Sequence, residues 1–530
     1  MAAVIGLTTP RTVAAQKRRS AYVWWVSYAA VLGLTLCVAG LGYLTAPAPL
    51  SLGLLVLFVL LAAVVARPEL GLWFIAFFGV AGDPITVQWY PFAKTMSTPQ
   101  SMLYVSNAAI VYPIELLVAA ALLGWILRMA ATRRWELHRG ALFRPMMTFG
   151  FFLFVGLVVG LARGGNPNVA LWEVRPLLLL VAIYLVATNL VRTPAAFRRL
   201  WSALMAAVFV DAVFAIVYYQ GLPAVSRAQA DHLGDHSAAL HGNAFFVLMA
   251  AMGVMAARST RRLVVMLLVT PIVGYAYILA ERRAGFVGLV MGMVMLEVML
   301  YHRRRRAFWY TAPLLALVFG GYLLAFWNVD RGAGFPAQAV KTVIAPGELS
   351  EDDKGSDRYR SIENYNVVYT IRTQPLTGIG FGQQYLRPIP NADISFAQWW
   401  EYRSHNAVLW IWMKTGIGGF LAMLYLFTSA IRHGTRRLMR VLPSYDGALL
   451  LTSVLFVVMF AVFAYVDIVW DTESMIFLGI AFAGIASDIL GEAPAVTNPE
   501  RGDGSVGSRS WSGRLSSLPR LNARRSRIFR

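Results

Sequence analysis

Two groups of residues in this chain can do chemistry if the fold brings them to one place. His405 lies in the stretch Glu401-Tyr402-Arg403-Ser404-His405-Asn406, where a polar segment passes into an apolar run. An imidazole titrates near neutrality and can take a proton from a hydroxyl. Neighbouring arginines favour its neutral form and so its service as a base. The plainer alternative is that His405 and Asn406 only decorate the start of a helix. The second group is basic. Arg282 and Arg283, and Arg175 beside Glu173, stand at the edges of apolar runs. Charge there is costly and points to function by default. A guanidinium stays charged and holds phosphate oxygens through its fork, so these arginines suit a pocket for an anion. A Glu173–Arg175 or Glu281–arginine pair that only anchors helix ends is the competing explanation.

Other constellations carry less. Asp231, His232, Asp235, His236 and His241 have the side chains of a carboxylate–imidazole metal site. They lie on a loop entering an apolar run, without the helical HExxH geometry, so no metal is expected. Thr377-Gly378-Ile379-Gly380-Phe381-Gly382 is a glycine turn. It lacks the preceding strand and the Lys-Ser/Thr ending of a nucleotide loop, and no cofactor follows from it. Asp211 and Lys414, inside apolar runs, read as structural charges, paired with each other or with Asp467 or Asp471.

The elements that must position these residues are membrane helices. The chain has 530 residues, 58% hydrophobic and 14% charged, whereas a soluble domain is about half apolar and about a quarter charged. The formal charge of +20 comes mostly from short basic clusters between apolar runs, the pattern of the positive-inside rule, and implies no nucleic acid. Cys37 is alone, so there is no disulfide framework. Apolar runs long enough to span are placed near 22–44, 50–66, 69–82, 107–130, 145–163, 172–191, 197–220, 239–258, 263–281, 284–302, 308–327, 405–431, 447–467 and 473–490. The expected fold is all-α: a polytopic bundle of about 14 spans. A cytoplasmic arm (1–21) precedes the spans of 22–327, an extracytoplasmic loop (328–404), the spans of 405–490, and a basic cytoplasmic tail (491–530). With both termini inside, every strong basic cluster but Arg282-Arg283 falls on the cytoplasmic side. The first part of the long loop, rich in Gly and Pro, reads as flexible coil. In its second part Ile362, Tyr365, Val368 and Ile371 recur at helical spacing, predicting an amphipathic helix that ends at Pro375.

Pro375-Leu376-Thr377-Gly378-Ile379-Gly380-Phe381-Gly382 followed by Ser404-His405-Asn406-Ala407-Val408-Leu409 and Thr415-Gly416-Ile417-Gly418-Gly419 resembles the signature of the O-antigen ligase and O-antigen polymerase superfamily. Arg175 in Val174-Arg175-Pro176, Gly242-Asn243-Ala244, and Arg283 fit the upstream pattern. Arg282 stands where the superfamily usually has serine, and Lys414 where an acid is frequent. The resemblance implies transfer of a glycan from an undecaprenyl-diphosphate carrier to an acceptor glycan or lipid hydroxyl. It implies that this happens without metal, on the outer side of the bacterial cytoplasmic membrane. By carry-over, His405 positions or deprotonates the acceptor hydroxyl with Asn406 beside it. Arg175, Arg283 and Arg282, with Arg360, hold the diphosphate. Trp399, Trp400 and Tyr402 either stack on sugar rings or form an interfacial aromatic belt. A transporter or flippase of lipid-linked glycans also has many spans, but would show internal repeats and broken helices near the midplane. A membrane scaffold would leave the arginines and His405 without a role.

Overall fold

The computed structural model describes residues 33, 48–223, 226, 233–255, 260–329, 332–394 and 399–490. The arm, the expected span at 22–44 apart from Gly33, Cys37, Asp231, His232 and the tail lie outside the described residues. Among the described residues the secondary structure is helical, with no strand. The chain runs through α1 (Ala48–Ala66), α2 (Pro68–Phe78), α3 (Pro113–Thr132), α4 (Phe143–Ala162), α5 (Pro167–Leu190) and α6 (Pro194–Gly221). It continues through α7 (Ala238–Val254), α8 (Thr260–Leu279), α9 (Arg283–Arg303) and α10 (Arg305–Phe326). The remainder is α11 (Phe335–Ile344), α12 (Glu351–Thr373), α13 (Ala407–Leu438), α14 (Tyr445–Val466) and α15 (Thr472–Ala486).

Nine of these helices among the described residues are long and apolar enough to cross a membrane: α3, α4, α5, α6, α8, α9, α10, α13 and α14. The expected spans at 50–66, 69–82, 239–258 and 473–490 fall on the shorter apolar helices α1, α2, α7 and α15. Every residue of α15 from Glu473 onward is buried, and a helix that is apolar all round belongs in the middle of a bundle. With α14, it forms the centre against which α5, α7, α9 and α13 pack.

Sequence punctuation sets the helix ends. Asn166 caps α5 by accepting the backbone N–H groups of Asn168 and Val169. Ser350 caps α12 ahead of Glu351, Asp352 and Asp353, three acids at the positive end of the helix dipole. α13 is bent at Gly416, whose φ of 68° breaks the helical run. A Cβ there would lie 2.1 Å from the Leu376 carbonyl oxygen. The glycine turn occupies that bend. The Ile379 N–H donates to the Met413 carbonyl at 2.8 Å, and the Ile417 N–H to the Pro375 carbonyl at 3.0 Å. The turn therefore satisfies backbone groups that the kink frees. Gly380, at φ 89°, approaches so closely that a Cβ would stand 2.2 Å from Gly160 Cα.

Under this turn, Lys414 Nζ lies 2.8 Å from Glu173 Oε1 and donates to the Gln383 carbonyl at 2.6 Å. The other Glu173 oxygen accepts the Gly382 N–H at 2.6 Å. Lys414 thus pairs with Glu173, not with Asp211, Asp467 or Asp471. Glu173 is not the partner of Arg175, whose Nε lies 3.2 Å from Glu115.

The segment expected as flexible coil is folded. Phe335–Ile344 forms α11, with Phe335, Ala337, Gln338 and Lys341 buried, and packs on α9. A short apolar periodicity among the Gly and Pro residues was enough for a helix once α9 offered a surface. α12 also differs from expectation in the face it buries. Tyr365 is exposed, while Glu363, Asn366, Val367, Thr370 and Ile371 are buried. This helix sits on a polar site, and polar side chains supply its contacts. Asn366 Nδ2 donates to the Ile389 carbonyl and to Asn391 Oδ1, both at 2.7 Å.

Candidate functional site

Asn406 caps α13, its Oδ1 accepting the Leu409 N–H at 3.0 Å, so the helix begins at Ala407 and His405 is left on the residue just outside it. The His405 backbone N–H donates to Glu363 Oε2 at 2.8 Å, and its Nδ1 lies 3.1 Å from the same oxygen. Glu363 is only 1% exposed, and His405 is its one salt-bridge partner among the described residues. A carboxylate accepts and does not donate, so the network assigns the hydrogen to Nδ1 and leaves Nε2 as the acceptor nitrogen. That is the form a general base needs.

His405 lines a cavity of about 660 Å³ together with His236, Arg282, Tyr359, Arg360, Glu363, Trp400 and Arg403. The start of α9, the first turns of α12, the segment before α13 and the segment after α14 all converge there. Arg282 Nη2 donates to the Gly234 carbonyl at 2.9 Å. Arg360 Nη2 is 3.9 Å from Asp467 Oδ2. The Arg403 guanidinium lies over the Trp172 ring, 5.4 Å from its centroid. Arg282 Nε, Arg360 Nε and Arg403 Nη2 are buried without a hydrogen-bond partner among the described residues. Orphaned charged donors are costly unless something fills the place. Burial works against charge on Asp467, but His236, Arg360 and His405 outweigh it and hold its carboxyl well below the usual range.

The expected site residues divide. His405, Arg282, Arg360 and Trp400 line the one cavity. Arg283 does not: its guanidinium grips Asp357 at 2.9 and 3.2 Å, Asp353 at 3.4 Å and Thr342 at 3.0 Å. Two adjacent arginines at a helix start point in different directions, and the acidic first turns of α12 capture the second. Arg175 lines a neighbouring chamber of about 160 Å³, with Trp172, Arg403, Trp470, Asp471 and Glu473 among its walls. Burial, then the Asp235 carboxylate, pushes Asp471 up to about 7, so this chamber carries less negative charge near neutrality than its composition implies. Asn406 is buried and used by the cap. Trp399, at φ 62°, packs edge-on against Tyr402, 6.0 Å between centroids. The Tyr402 carbonyl accepts the Trp410 indole N–H at 3.0 Å. Of the carboxylate–imidazole stretch 231–241, His241 stacks on Phe477 at 4.8 Å, while His236 faces the cavity. Among the described residues no three ligand side chains converge.

The residues that sequence reasoning passed over are Glu363, Arg403, His236 as a cavity residue, and Asp467. Arg403 had a local signal, standing two positions before His405. The Glu363 signal was a carboxylate on the helical face opposite the apolar one, which reads as solvated until the partner is known.

The fold and the cavity describe a polytopic membrane protein with an arginine-lined chamber at one end of its helix bundle. Residues 245–424, less than half of the chain, match the family model described as O-antigen ligase, which supports the resemblance to the O-antigen ligase and polymerase superfamily. A search of curated proteins returned no match.

Proposed function

We propose that this protein transfers a glycan from an undecaprenyl-diphosphate carrier to an acceptor hydroxyl, as a polymerase or ligase working on the outer side of the cytoplasmic membrane. The observation that carries the reading is the set of three guanidiniums, Arg282, Arg360 and Arg403, each with a buried N–H lacking a partner among the described residues, facing the same cavity as a carboxylate-held imidazole. Arginine N–H groups complement the oxygens of a diphosphate and the charge that grows on it as the sugar leaves. His405 Nε2 takes the acceptor proton as the oxygen attacks the anomeric carbon, and Glu363 orients the ring and stabilises the imidazolium that forms. Trp400 offers a stacking face for a sugar. The carrier linkage is already activated, so no cofactor or energy source enters, and the reaction proceeds without metal. Arg283 braces α12 against α9 rather than holding substrate, and Arg175 serves the neighbouring chamber.

The test is transfer by purified protein added to membranes of a deletion strain that hold accumulated lipid-linked precursor. Arg403→Lys, which keeps the charge and removes the fork, is expected to lower transfer at least about tenfold, the equivalent of roughly 1.4 kcal/mol. Unchanged transfer would remove Arg403 from the site. EDTA is expected to leave the rate unaltered; inhibition reversed by one divalent ion would overturn the metal-free reading.

A further inference from the structure

Beside the arginine cavity lies a space of different chemistry. The chamber of about 160 Å³ shares Trp172, Asp235 and Arg403 with that cavity as common walls, so the two adjoin. It holds several times the roughly 30 Å³ that one water takes in the liquid, enough for one sugar ring. Two features decide what fits. The first is charge. Arg175 is already taken, its Nε 3.2 Å from Glu115 and its Nη1 donating to the Ile110 carbonyl at 2.5 Å. Glu173 is likewise spent on Lys414. That leaves Arg403 in company with Asp235, Asp471 and Glu473. The Asp235 carboxylate alone offsets it, so a phosphate would find no surplus of positive charge. The cavity next door, by contrast, sets Arg282, Arg360 and Arg403 against Asp235 and Glu363.

The second feature is the aromatic lining. Trp172, Trp410 and Trp470 are all among the walls. The Trp410 indole N–H is used by the Tyr402 carbonyl, and the Trp470 indole N–H donates to the Ala407 carbonyl at 2.9 Å. What these two rings can give a ligand is therefore carbon surface. Acceptors are close by. Glu473 stands in the first turn of α15, and Asp471 caps that helix by accepting the Ser474 N–H at 2.7 Å. A carboxylate has about four lone-pair sites, so the cap leaves Asp471 room for a hydroxyl. Apolar faces with a few fixed polar groups are what orient a small ligand. A pyranose has the matching parts, C–H faces and a rim of hydroxyls.

Resting on the function proposed above, we infer that this chamber is a monosaccharide subsite, which takes one uncharged sugar ring of the glycan against its indoles, with hydroxyls on Glu473, Asp471 and Arg403. Arg403 joins the two spaces. A guanidinium has five N–H donors, enough to meet a phosphate oxygen on the cavity side and a hydroxyl on the chamber side. The subsite therefore sets which sugar is accepted, while the cavity holds the diphosphate and the base. Arg175 acts here by bracing the chamber wall through Glu115, not by holding phosphate.

The probes are two free glycans: the one released by mild acid from the accumulated lipid-linked precursor, and the unextended acceptor glycan of the same deletion strain. Binding to purified protein is read by saturation-transfer NMR, with inorganic pyrophosphate added as a marker of the arginine cavity. At least one glycan should bind wild type and stay bound when pyrophosphate is added. Ala93 lines the chamber, so Ala93→Phe puts a ring inside it. That variant should weaken glycan binding at least about tenfold and leave pyrophosphate affinity within about twofold. Glu473→Gln, which turns one acceptor oxygen into a donor, should weaken the glycan about tenfold, and carries the test if Ala93→Phe fails to fold. In transfer assays both variants should raise KM for one glycan more than they lower kcat. Whether that glycan is the precursor or the acceptor identifies whose sugar occupies the chamber. Full displacement by pyrophosphate, or glycan affinity unchanged in both variants, overturns the subsite. So does wild type that transfers glycan yet binds neither free glycan. Wild type that transfers no glycan would instead sink the function, and the subsite with it.

Discussion

Replacing His405 with alanine is expected to reduce glycan transfer by about 10²–10⁴-fold while the protein accumulates normally. The side chain is 19% exposed on the cavity wall and meets His236 and Tyr359 only edge to face at the cavity surface, so the loss should be chemical. Glu363→Gln makes the sharper comparison. The amide still accepts the His405 backbone N–H, so the loop stays docked. Its NH₂ group now meets Nδ1, however, and favours the tautomer with hydrogen on Nε2, which is the wrong one for a base. Glu363→Gln should therefore approach the alanine variant in rate without matching it in any defect of folding. Surface-glycan electrophoresis from complemented deletion strains, with protein level read by blot, checks both. Normal glycan in either variant would show that the dyad is architecture alone.

The second large effect is on stability. Lys414→Met should cost about 3–5 kcal/mol, because it leaves the Glu173 carboxylate buried without its cation. Both side chains are fully buried, which makes removal of one partner far worse than removal of both. The double variant Glu173→Gln/Lys414→Met keeps an acceptor for the Gly382 N–H and discards both charges. It should recover most of the loss in a thermal unfolding series in detergent. Equal melting of the single and double variants would mean that the pair contributes little, and that the glycine turn is held by its backbone contacts with Gly156 and Met413. A destabilised turn should also slow transfer, since the turn is clamped to the same helix whose first residue follows His405 and Asn406.

The helices were legible because hydropathy and punctuation are local. So were the glycine turn at Thr377–Gly382 and the position of His405 at a helix start. The pairings were not. Lys414 and Glu173 lie on different helices, and nothing in either neighbourhood specifies the other. Arg282 and Arg283 are chemically identical and adjacent, and only the acidic face of α12 separates a cavity arginine from a brace. Glu363 was hidden for a related reason. Reading α12 by its apolar residues assumed that the buried face of a helix is the hydrophobic one, which fails where a helix covers a polar site. The Phe335–Ile344 helix was missed because Gly and Pro nearby outweighed a short pattern that becomes stable only when α9 receives it.

The way α12 is held has a consequence for how the protein loses activity. Its buried face bonds through Glu363, Asn366 and Thr370, and its acids through Arg283, while α14 and α15 are embedded in dense apolar packing. Salt, acid and heat act on those two kinds of contact unequally. Screening the charges of Asp353 and Asp357 loosens α12 while the bundle keeps its packing. Inactivation and unfolding are then separate events with separate triggers. A preparation can keep its full helical signal and its solubility and yet be dead, because the wall that aligns the imidazole has come away first.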